Sequence, residues 1–136
     1  MEDKLTLEIV SPYGSVLTEE VDEVVAAGSE GEFGILPGHV SFVTTLNIGM
    51  LKYRKDGSDK YVFINSGYTE VTSDKMMVLA DSAEKSEDID VERAKAAMKR
   101  AEERLKKEAE YDFARAEAAL DRALMRVQVS EKVASR

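Results

Sequence analysis

Six arginines in the second half of the chain have the spacing that is most suggestive of chemistry. They form two sets with the same i, i+7, i+11 spacing, which are Arg93, Arg100 and Arg104, and then Arg115, Arg122 and Arg126. In an α-helix each set falls on one narrow face. Arginine offers a planar, permanently charged fork that fits phosphates and carboxylates. The spacing therefore favours contact with nucleotide phosphates or with an acidic partner helix. The alternative is a solvated charged face supported by Glu103 and Asp121.

The other reactive side chains form no recognisable catalytic arrangement. The 136 residues include no cysteine, which excludes thiolate metal sites and a cysteine nucleophile. The single histidine, His39, has no histidine or cysteine to share a metal with, and we interpret it as a loop residue bonded to backbone. No Gly-Lys pair occurs, so a P-loop is absent. We expect no catalytic residue and no metal site.

The composition changes abruptly between Glu84 and Asp90. All eight glycines and both prolines lie before this point, and the chain then becomes rich in Ala, Glu, Lys and Arg. Because glycine and proline punctuate turns and break helices, this change predicts a switch from short strands to long helices. We predict a domain over residues 1–84, an antiparallel β-sandwich, and a domain over residues 85–136, an antiparallel two-helix hairpin. The fold class is α+β in the sequence order β then α.

The charge differs between these halves. Residues 1–84 carry 6 Lys and Arg against 15 Asp and Glu, whereas residues 85–136 carry 13 against 12. An acidic first half argues against binding a phosphate backbone, so we expect no nucleic-acid partner. The charged start and the short apolar runs indicate a soluble chain with no visible signal peptide and no insertion into a membrane.

The first half predicts strands by its alternating apolar residues and its turns. The expected strands are Leu5–Ile9, Val21–Val25, Met50–Tyr53, Tyr61–Ile64, Thr69–Thr72 and Lys75–Leu79. Ser11–Gly14 and Lys55–Ser58 are expected turns, the latter because glycine after aspartate favours a tight hairpin. The segment Gly31–His39, with three glycines and a proline, predicts a tight irregular loop.

The second half predicts two helices, Val91–Lys107 and Phe113–Val129, joined by Glu108–Asp112. Asp90 is placed to cap the first helix through its carboxylate. The apolar stripes are Ala94, Ala97, Ala101 and Leu105 on the first helix, and Phe113, Ala116, Leu120, Ala123 or Leu124, and Val127 on the second. Alanine buries little area per residue, so we expect a weak seam that allows the hairpin to open or detach.

Two motifs carry a family resemblance. Gly28–His39 (GSEGEFGILPGH), followed by Asn65–Val71 (NSGYTEV), closely resembles the epsilon subunit of bacterial F-type ATP synthase. The order of a strand-rich part and Ala-rich helices, opened by Ile89–Ala94, is also similar. The resemblance covers essentially the whole chain.

The resemblance implies a non-catalytic rotor subunit of the central stalk that couples proton flow to ATP synthesis. It implies a sandwich that grips the gamma subunit and touches the ring of c subunits, at the cytoplasmic face of the cell membrane. The loop Glu32–Ser41 would face that ring. Its candidate contact residues are Glu32, Gly34, Pro37, Gly38 and His39. The alternative is that this loop only shapes the edge of the sandwich.

The resemblance also implies a regulatory hairpin. Extended, the hairpin would reach the alpha and beta catalytic subunits and impede ATP hydrolysis, with Arg115, Arg122 and Arg126 as candidate contacts. Folded, it would bind ATP as a regulatory ligand, although no cofactor is required. The candidate ATP-binding residues are Glu84, Ile89, Asp90, Arg93, Ala94, Arg100, Arg122 and Arg126. Asp90 would accept from the adenine amino group or cap the helix. Without the resemblance, the alternative function is a freestanding β-sandwich adaptor that binds protein partners.

Overall fold

The structure is a computed structural model that describes residues 4–107 and 113–134. The chain divides into two compact units, Met1–Lys85 and Ser86–Arg136. The predicted division between residues 84 and 85 lies one residue earlier. None of the helices in the described ranges is long and apolar enough to cross a membrane.

The first unit is a β-sandwich made from one continuous sheet of seven strands. The strands are β1 (Leu5–Ser11), β2 (Gly14–Val21), β3 (Glu23–Gly28), β4 (Gly31–Ile35), β5 (Phe42–Lys55), β6 (Ser58–Val71) and β7 (Lys75–Lys85). Their order across the sheet is β2-β1-β7-β6-β5-β3-β4. All neighbouring pairs are antiparallel except β1 and β7, which are parallel. The core is mainly aliphatic, with Leu5, Leu7 and Ile9 of β1 fully buried.

A corner across β5, β6 and β7 folds this sheet into two layers. On β7 the residues that face the core before the corner are every second one, including Val78 and Ala80. Beyond the corner the residue that faces the core is Ala83, so the inward side shifts from even-numbered to odd-numbered residues. The corner on β6 is made by Ser66 and Gly67, which both have positive φ (56° and 145°). A Cβ atom on Gly67 would stand only 2.1 Å from the carbonyl oxygen of Leu79 on β7. Glycine is therefore required where the two strands approach most closely.

Asp22 marks a second crossing, where the chain passes from β2 directly into β3. Its backbone N–H donates to the carbonyl of Arg54 at 2.8 Å, and its carboxylate accepts from Lys4 Nζ at 2.5 Å. The hydrogen bond and charge of Lys4, together with the Asp56 N–H, hold the pKa of Asp22 below its ordinary value of 3.8. Lys55 pairs with Glu19 beside this point, which raises the pKa of Lys55. Polar contacts thus close the sandwich where β2 meets β5.

Several strand predictions are corrected by this arrangement. Tyr61–Ile64 and Thr69–Thr72 are predicted as separate strands, but β6 is continuous from Ser58 to Val71 because Gly67 forms a corner and not a turn. Gly31–His39 is predicted as an irregular loop, but Gly31–Ile35 pairs with β3 as strand β4. Val21–Val25 is predicted as one strand, but it is interrupted at Asp22.

Strand β2 is absent from the sequence-based assignment, because its run of Thr18, Glu19 and Glu20 hides the inward pair Leu17 and Val21. The other predicted strands are contained in β1, β5 and β7. The predicted turns at Ser11–Gly14 and Lys55–Ser58 are confirmed.

The second unit contains a short 3₁₀ helix, η1 (Ser86–Asp88), followed by α1 (Val91–Lys107) and α2 (Phe113–Ala134). The limits of α1 match the prediction, and α2 continues five residues beyond the predicted end at Val129. The predicted connection, residues 108–112, lies outside the described residues. Both helices pack against each other, and η1 packs against α2. Because η1 precedes α1, its contact with α2 agrees with an antiparallel hairpin.

Candidate functional site

The candidate nucleotide site starts at the first turn of α1. The Oδ1 atom of Asp90 accepts the backbone N–H of Arg93 at 3.0 Å, and the Asp90 carbonyl accepts the N–H of Ala94 at 3.0 Å. Asp90 is therefore the N-cap, as predicted, and one of its carboxylate oxygens is engaged in the helix. Ile89 and Ala94 are almost fully buried beside it, whereas Arg93 is exposed. This arrangement fixes the direction in which Arg93 leaves the helix.

The two helices meet along an alanine seam. The seam consists of Ala94 and Ala101 on α1 and Ala116 and Ala123 on α2, each no more than 3% exposed. The sequence left open whether Ala123 or Leu124 belongs to the apolar stripe of the second helix. Ala123 is the stripe residue, because it lies in the seam and Leu124 is 42% exposed. The other predicted stripe residues, Ala97, Leu105, Leu120 and Val127, are half-buried. The side chain of Phe113 lies outside the described residues.

The seam determines where the six arginines lie. Arg93, Arg100, Arg115 and Arg122 each stand one residue before a seam alanine, and Arg104 and Arg126 stand one residue before Leu105 and Val127. One residue corresponds to a rotation of about 100° around a helix. In two antiparallel right-handed helices that face each other, the position preceding the seam residue points to the same side of the hairpin. All six arginines therefore share one side, which we call the arginine face.

The arginines also match in height along the hairpin. Arg93 lies 14 residues before the end of α1, and Arg126 lies 13 residues after the start of α2. At a rise of about 1.5 Å per residue, these two positions stand at nearly the same level. Arg104 and Arg115 are level near the connected ends, three and two residues from them, and Arg100 and Arg122 lie between. An alanine seam allows the closest approach of two helices, so positive charges are concentrated in pairs.

Glu103 and Asp121 are the acidic residues that the sequence suggests as partners for this face. Within the described parts of α1 and α2, neither Glu103 nor Asp121 forms an ion pair with Arg93, Arg100, Arg104, Arg115 or Arg122. Arg93, Arg100, Arg104 and Arg115 are exposed, and Arg122 and Arg126 are half-buried. Paired guanidinium groups repel one another, and an anion between them would remove that repulsion. The remaining candidate ATP-binding residue, Glu84, lies in the first unit, on β7 opposite Phe63 of β6.

The candidate contact loop of the sandwich is a defined turn. Leu36 accepts the N–H of His39 at 3.2 Å, and Pro37 and Gly38 occupy the central positions, with φ of 85° at Gly38. These are the features of a type II turn. The N–H of Gly38 donates to the carbonyl of Ser73 at 2.6 Å, which ties the turn to the β6–β7 connection.

His39, the last residue of this turn, contacts the residues that follow it. Its Nδ1 atom bonds the carbonyl of Val40 at 2.7 Å, as its assignment as a loop histidine predicts. The centre of its ring lies 5.3 Å from that of Phe42 at a tilt of 56°, and Phe42 meets Phe33 of β4 edge-on at 5.6 Å. The predicted contacts Glu32, Gly34 and Gly38 are exposed, whereas Pro37 and His39 are half-buried.

Sequence reasoning missed the apolar surface beside this turn. Leu36, Val40 and Val43 are 56%, 75% and 64% exposed. Large apolar side chains grouped on a surface often mark a contact with another protein. The available signal was the position of Leu36 and Val40 on either side of Pro37 and Gly38, where the chain turns. Among the described residues, no group of His, Asp or Glu side chains is placed to hold a metal ion.

Comparison with known proteins agrees with this two-part construction. Residues 4–86 match the family model "ATP synthase, Delta/Epsilon chain, beta-sandwich domain", and residues 87–131 match "ATP synthase, Delta/Epsilon chain, long alpha-helix domain". The fold and both matches define a chain of the delta/epsilon class.

Curated relatives narrow the assignment. The ATP synthase epsilon chain of Geotalea daltonii is 55% identical over 138 residues, covering 100% of both chains. That of Thermodesulfovibrio yellowstonii is 59% identical over 107 residues, covering 79% of this chain and 76% of the relative. The chain belongs to the family of ATP synthase epsilon chains. This membership confirms the predicted resemblance and the prediction of a non-catalytic subunit of ATP synthase.

Solved structures share the fold at low identity. A chain in the cryo-EM structure of the Euglena gracilis mitochondrial ATP synthase (OSCP/F1/c-ring) has a TM-score of 0.80 and 22% identity, covering 100% of this chain and 84% of that chain. A chain of the Tetrahymena thermophila mitochondrial ATP synthase central stalk and c-ring has a TM-score of 0.54 and 14% identity, covering 65% and 72%.

Proposed function

We propose that this chain is a rotor subunit in the central stalk of an F-type ATP synthase, where it helps to couple proton flow to ATP synthesis. The observation that carries the proposal is the match of both structural units to epsilon chains over the full length of the sequence. The sandwich supplies a rigid body that binds the gamma subunit and the c-subunit ring. As part of the ATP synthase, the chain would lie at the cytoplasmic face of the membrane as a peripheral subunit.

The contact with the c-subunit ring is assigned to the Glu32–Ser41 segment. Its type II turn is anchored by Gly38 to Ser73, so the loop presents a fixed shape. Exposed Leu36 and Val40 supply apolar area, and Glu32 supplies charge at its edge. A Leu36→Ser, Val40→Ser double variant should weaken binding to c-ring-containing complexes. The control is Tyr13→Ser, which removes an exposed aromatic residue (91%) from a different turn.

The helical hairpin is assigned a regulatory role. In an extended form it would contact the alpha and beta subunits through Arg115, Arg122 and Arg126 and slow ATP hydrolysis. The alanine seam supports such a change, because small side chains bury little apolar area and separate at modest cost. Hydrolysis by the catalytic complex should be higher with residues 1–85 alone than with the full chain. Equal rates would contradict the inhibitory role.

The arginine face is assigned to ATP when the hairpin is folded. Arg93 and Arg126, at one level, and Arg100 and Arg122, at the next, provide forks for the phosphates, and the start of α1 adds partial positive charge. The Oδ1 atom of Asp90 accepts the N–H of Arg93, and the other carboxylate oxygen, Oδ2, would accept a hydrogen bond from the adenine amino group. The two roles that the sequence left open for Asp90 are thus compatible.

An NMR titration with ATP, with ADP as a comparison, tests this assignment. The amides of Ile89, Asp90 and Arg93 and the guanidinium groups of Arg122 and Arg126 should shift and saturate. Arg126→Ala should weaken binding, and Arg104→Ala is the matched control because it removes the same charge from the same face outside the assigned set. No shifts at millimolar ATP would refute the nucleotide site and leave the rotor role intact.

A further inference from the structure

The turn between β5 and β6 contains an aspartate followed directly by a glycine, Asp56–Gly57. Asp56–Gly57 is the only place in the chain where aspartate or asparagine precedes glycine. The two residues form the two-residue turn that joins Lys55 to Ser58, with φ of 51° and 81°. Both are exposed, and a Cβ atom on Gly57 would find nothing within 4 Å. The turn is therefore open to solvent and unobstructed by neighbouring side chains.

The backbone N–H of Gly57 is less constrained than the backbone N–H groups that follow Asn65 and Asp81. In the described chain, no hydrogen bond engages the N–H of Gly57. By contrast, Asn65 and Asp81 lie within strands β6 and β7, where paired neighbours fix the backbone. Glycine also lacks the Cβ that would hinder approach of its nitrogen to the preceding side chain. A nucleophile and an electrophilic carboxyl carbon are thus adjacent at one unprotected position.

We propose that Asp56–Gly57 is a site of spontaneous succinimide formation and isoaspartate conversion. The amide nitrogen of Gly57 attacks Cγ of the protonated Asp56 carboxyl group. A new N–Cγ bond forms, the Cγ–OH bond breaks, and the hydroxyl group leaves as water after taking the amide proton. Water then opens the ring at either carbonyl. Opening at the α-carbonyl yields isoaspartate, in which the main chain passes through the side-chain carbon, and opening at Cγ restores aspartate. The only co-reactant is water, and no oxidation occurs.

The modification would act on the contact that closes the sandwich. The N–H of Asp56 bonds the Asp22 carboxylate, and the flanking Lys55 pairs with Glu19. Isoaspartate adds one carbon to the main chain inside a two-residue turn, so Lys55 and Ser58 can no longer pair in the same geometry. We expect a loss of thermal stability in modified chains. This inference does not depend on the proposed function.

The test is ageing of the full chain at neutral pH and physiological temperature, followed by peptide mapping that distinguishes isoaspartate from aspartate. Asp59 is the internal control, since it lies nearby in strand β6 and precedes lysine. Asp56→Asn should fold, because asparagine tolerates positive φ, and should convert at least about tenfold faster, which corresponds to a barrier lower by roughly 1.4 kcal/mol. Gly57→Ala should convert about tenfold more slowly than the unchanged chain.

Isoaspartate at position 56 in excess over position 59, with lower thermal stability of the modified fraction, is the expected result. Equal, background amounts at both positions in the aged protein would overturn the proposal. So would equal rates for the unchanged chain and Asp56→Asn, because the neutral side-chain amide of asparagine accepts the nucleophile directly, whereas an ionised carboxylate resists attack until it is protonated.

Discussion

The corner at Gly67 makes the sharpest prediction about the fold. Gly67→Ala introduces a Cβ atom that would lie 2.1 Å from the Leu79 oxygen, 2.8 Å from the Ala80 Cα and 3.0 Å from the Leu79 carbonyl carbon. Ordinary contacts of this kind begin at 3.4 Å. All three atoms are backbone, so no side-chain rotation can relieve the overlap. The pairing of β6 with β7 must loosen at Gly67 and Ala80.

Two costs combine in this variant. A residue other than glycine in a conformation with positive φ is destabilised by roughly 1–2 kcal/mol. Overpacking against a rigid neighbour adds about 1–3 kcal/mol or more. We therefore expect a loss of about 2–5 kcal/mol in the free energy of unfolding, a large part of the roughly 5–15 kcal/mol that stabilises a typical domain.

Gly14→Ala is the matched control. Gly14 has a comparable φ of 124° against 145° at Gly67, but a Cβ atom there would meet nothing within 4 Å. It should therefore incur only the conformational cost, about 1–2 kcal/mol. The difference between the variants measures the close approach of β6 and β7.

Urea unfolding followed by tyrosine fluorescence is a suitable assay, because four of the five tyrosines lie in the sandwich. Far-UV circular dichroism of the helices would show whether the second unit unfolds separately. If Gly67→Ala loses no more stability than Gly14→Ala, the corner is not closely packed and the account of how the sheet folds into two layers is wrong.

Three further predictions concern the caps, charges and seam. Asp90→Ala should destabilise the helical unit by about 1 kcal/mol through loss of the N-cap, whereas Asp90→Asn should retain most of that stability, as measured by helix melting. The depressed pKa of Asp22 contributes stability that is present above the ordinary value of 3.8 and lost as the pH falls through the depressed pKa. Asp22→Asn should therefore flatten the acid side of a melting-temperature profile, and an unchanged profile would contradict the role of Lys4. Ala123→Leu should cost about 1–3 kcal/mol by separating the helices, whereas Leu124→Ala on the exposed side should be nearly neutral in the same melting experiment.

The helices were the most predictable part of the fold. Their alanine and arginine periodicity, together with Asp90 as a cap, depends on residues close in sequence, and the limits of α1 followed directly. The Asp56–Gly57 turn was predictable for the same reason. By contrast, β4 exists because β3 pairs with it, and the continuity of β6 depends on a glycine that locally suggests a turn. Such features depend on partners distant in sequence.

The candidate site divides in the same way. The arginine spacing predicted one face on each helix, but the common side of the hairpin followed only once the buried seam had identified which alanines face each other. The sequence also suggested Glu103 and Asp121 as partners of the arginines, and in the described helices neither forms an ion pair with Arg93, Arg100, Arg104, Arg115 or Arg122. The exposed Leu36 and Val40 were missed because apolar residues are normally assigned to a core.

Copurification with the gamma subunit of the same organism tests the central claim most directly. If the chain is the rotor subunit, the two should coelute from a size-exclusion column as a stable complex, and residues 1–85 alone should retain that binding. A chain that elutes alone in the presence of folded gamma subunit would contradict the proposed place in the central stalk and favour a freestanding adaptor.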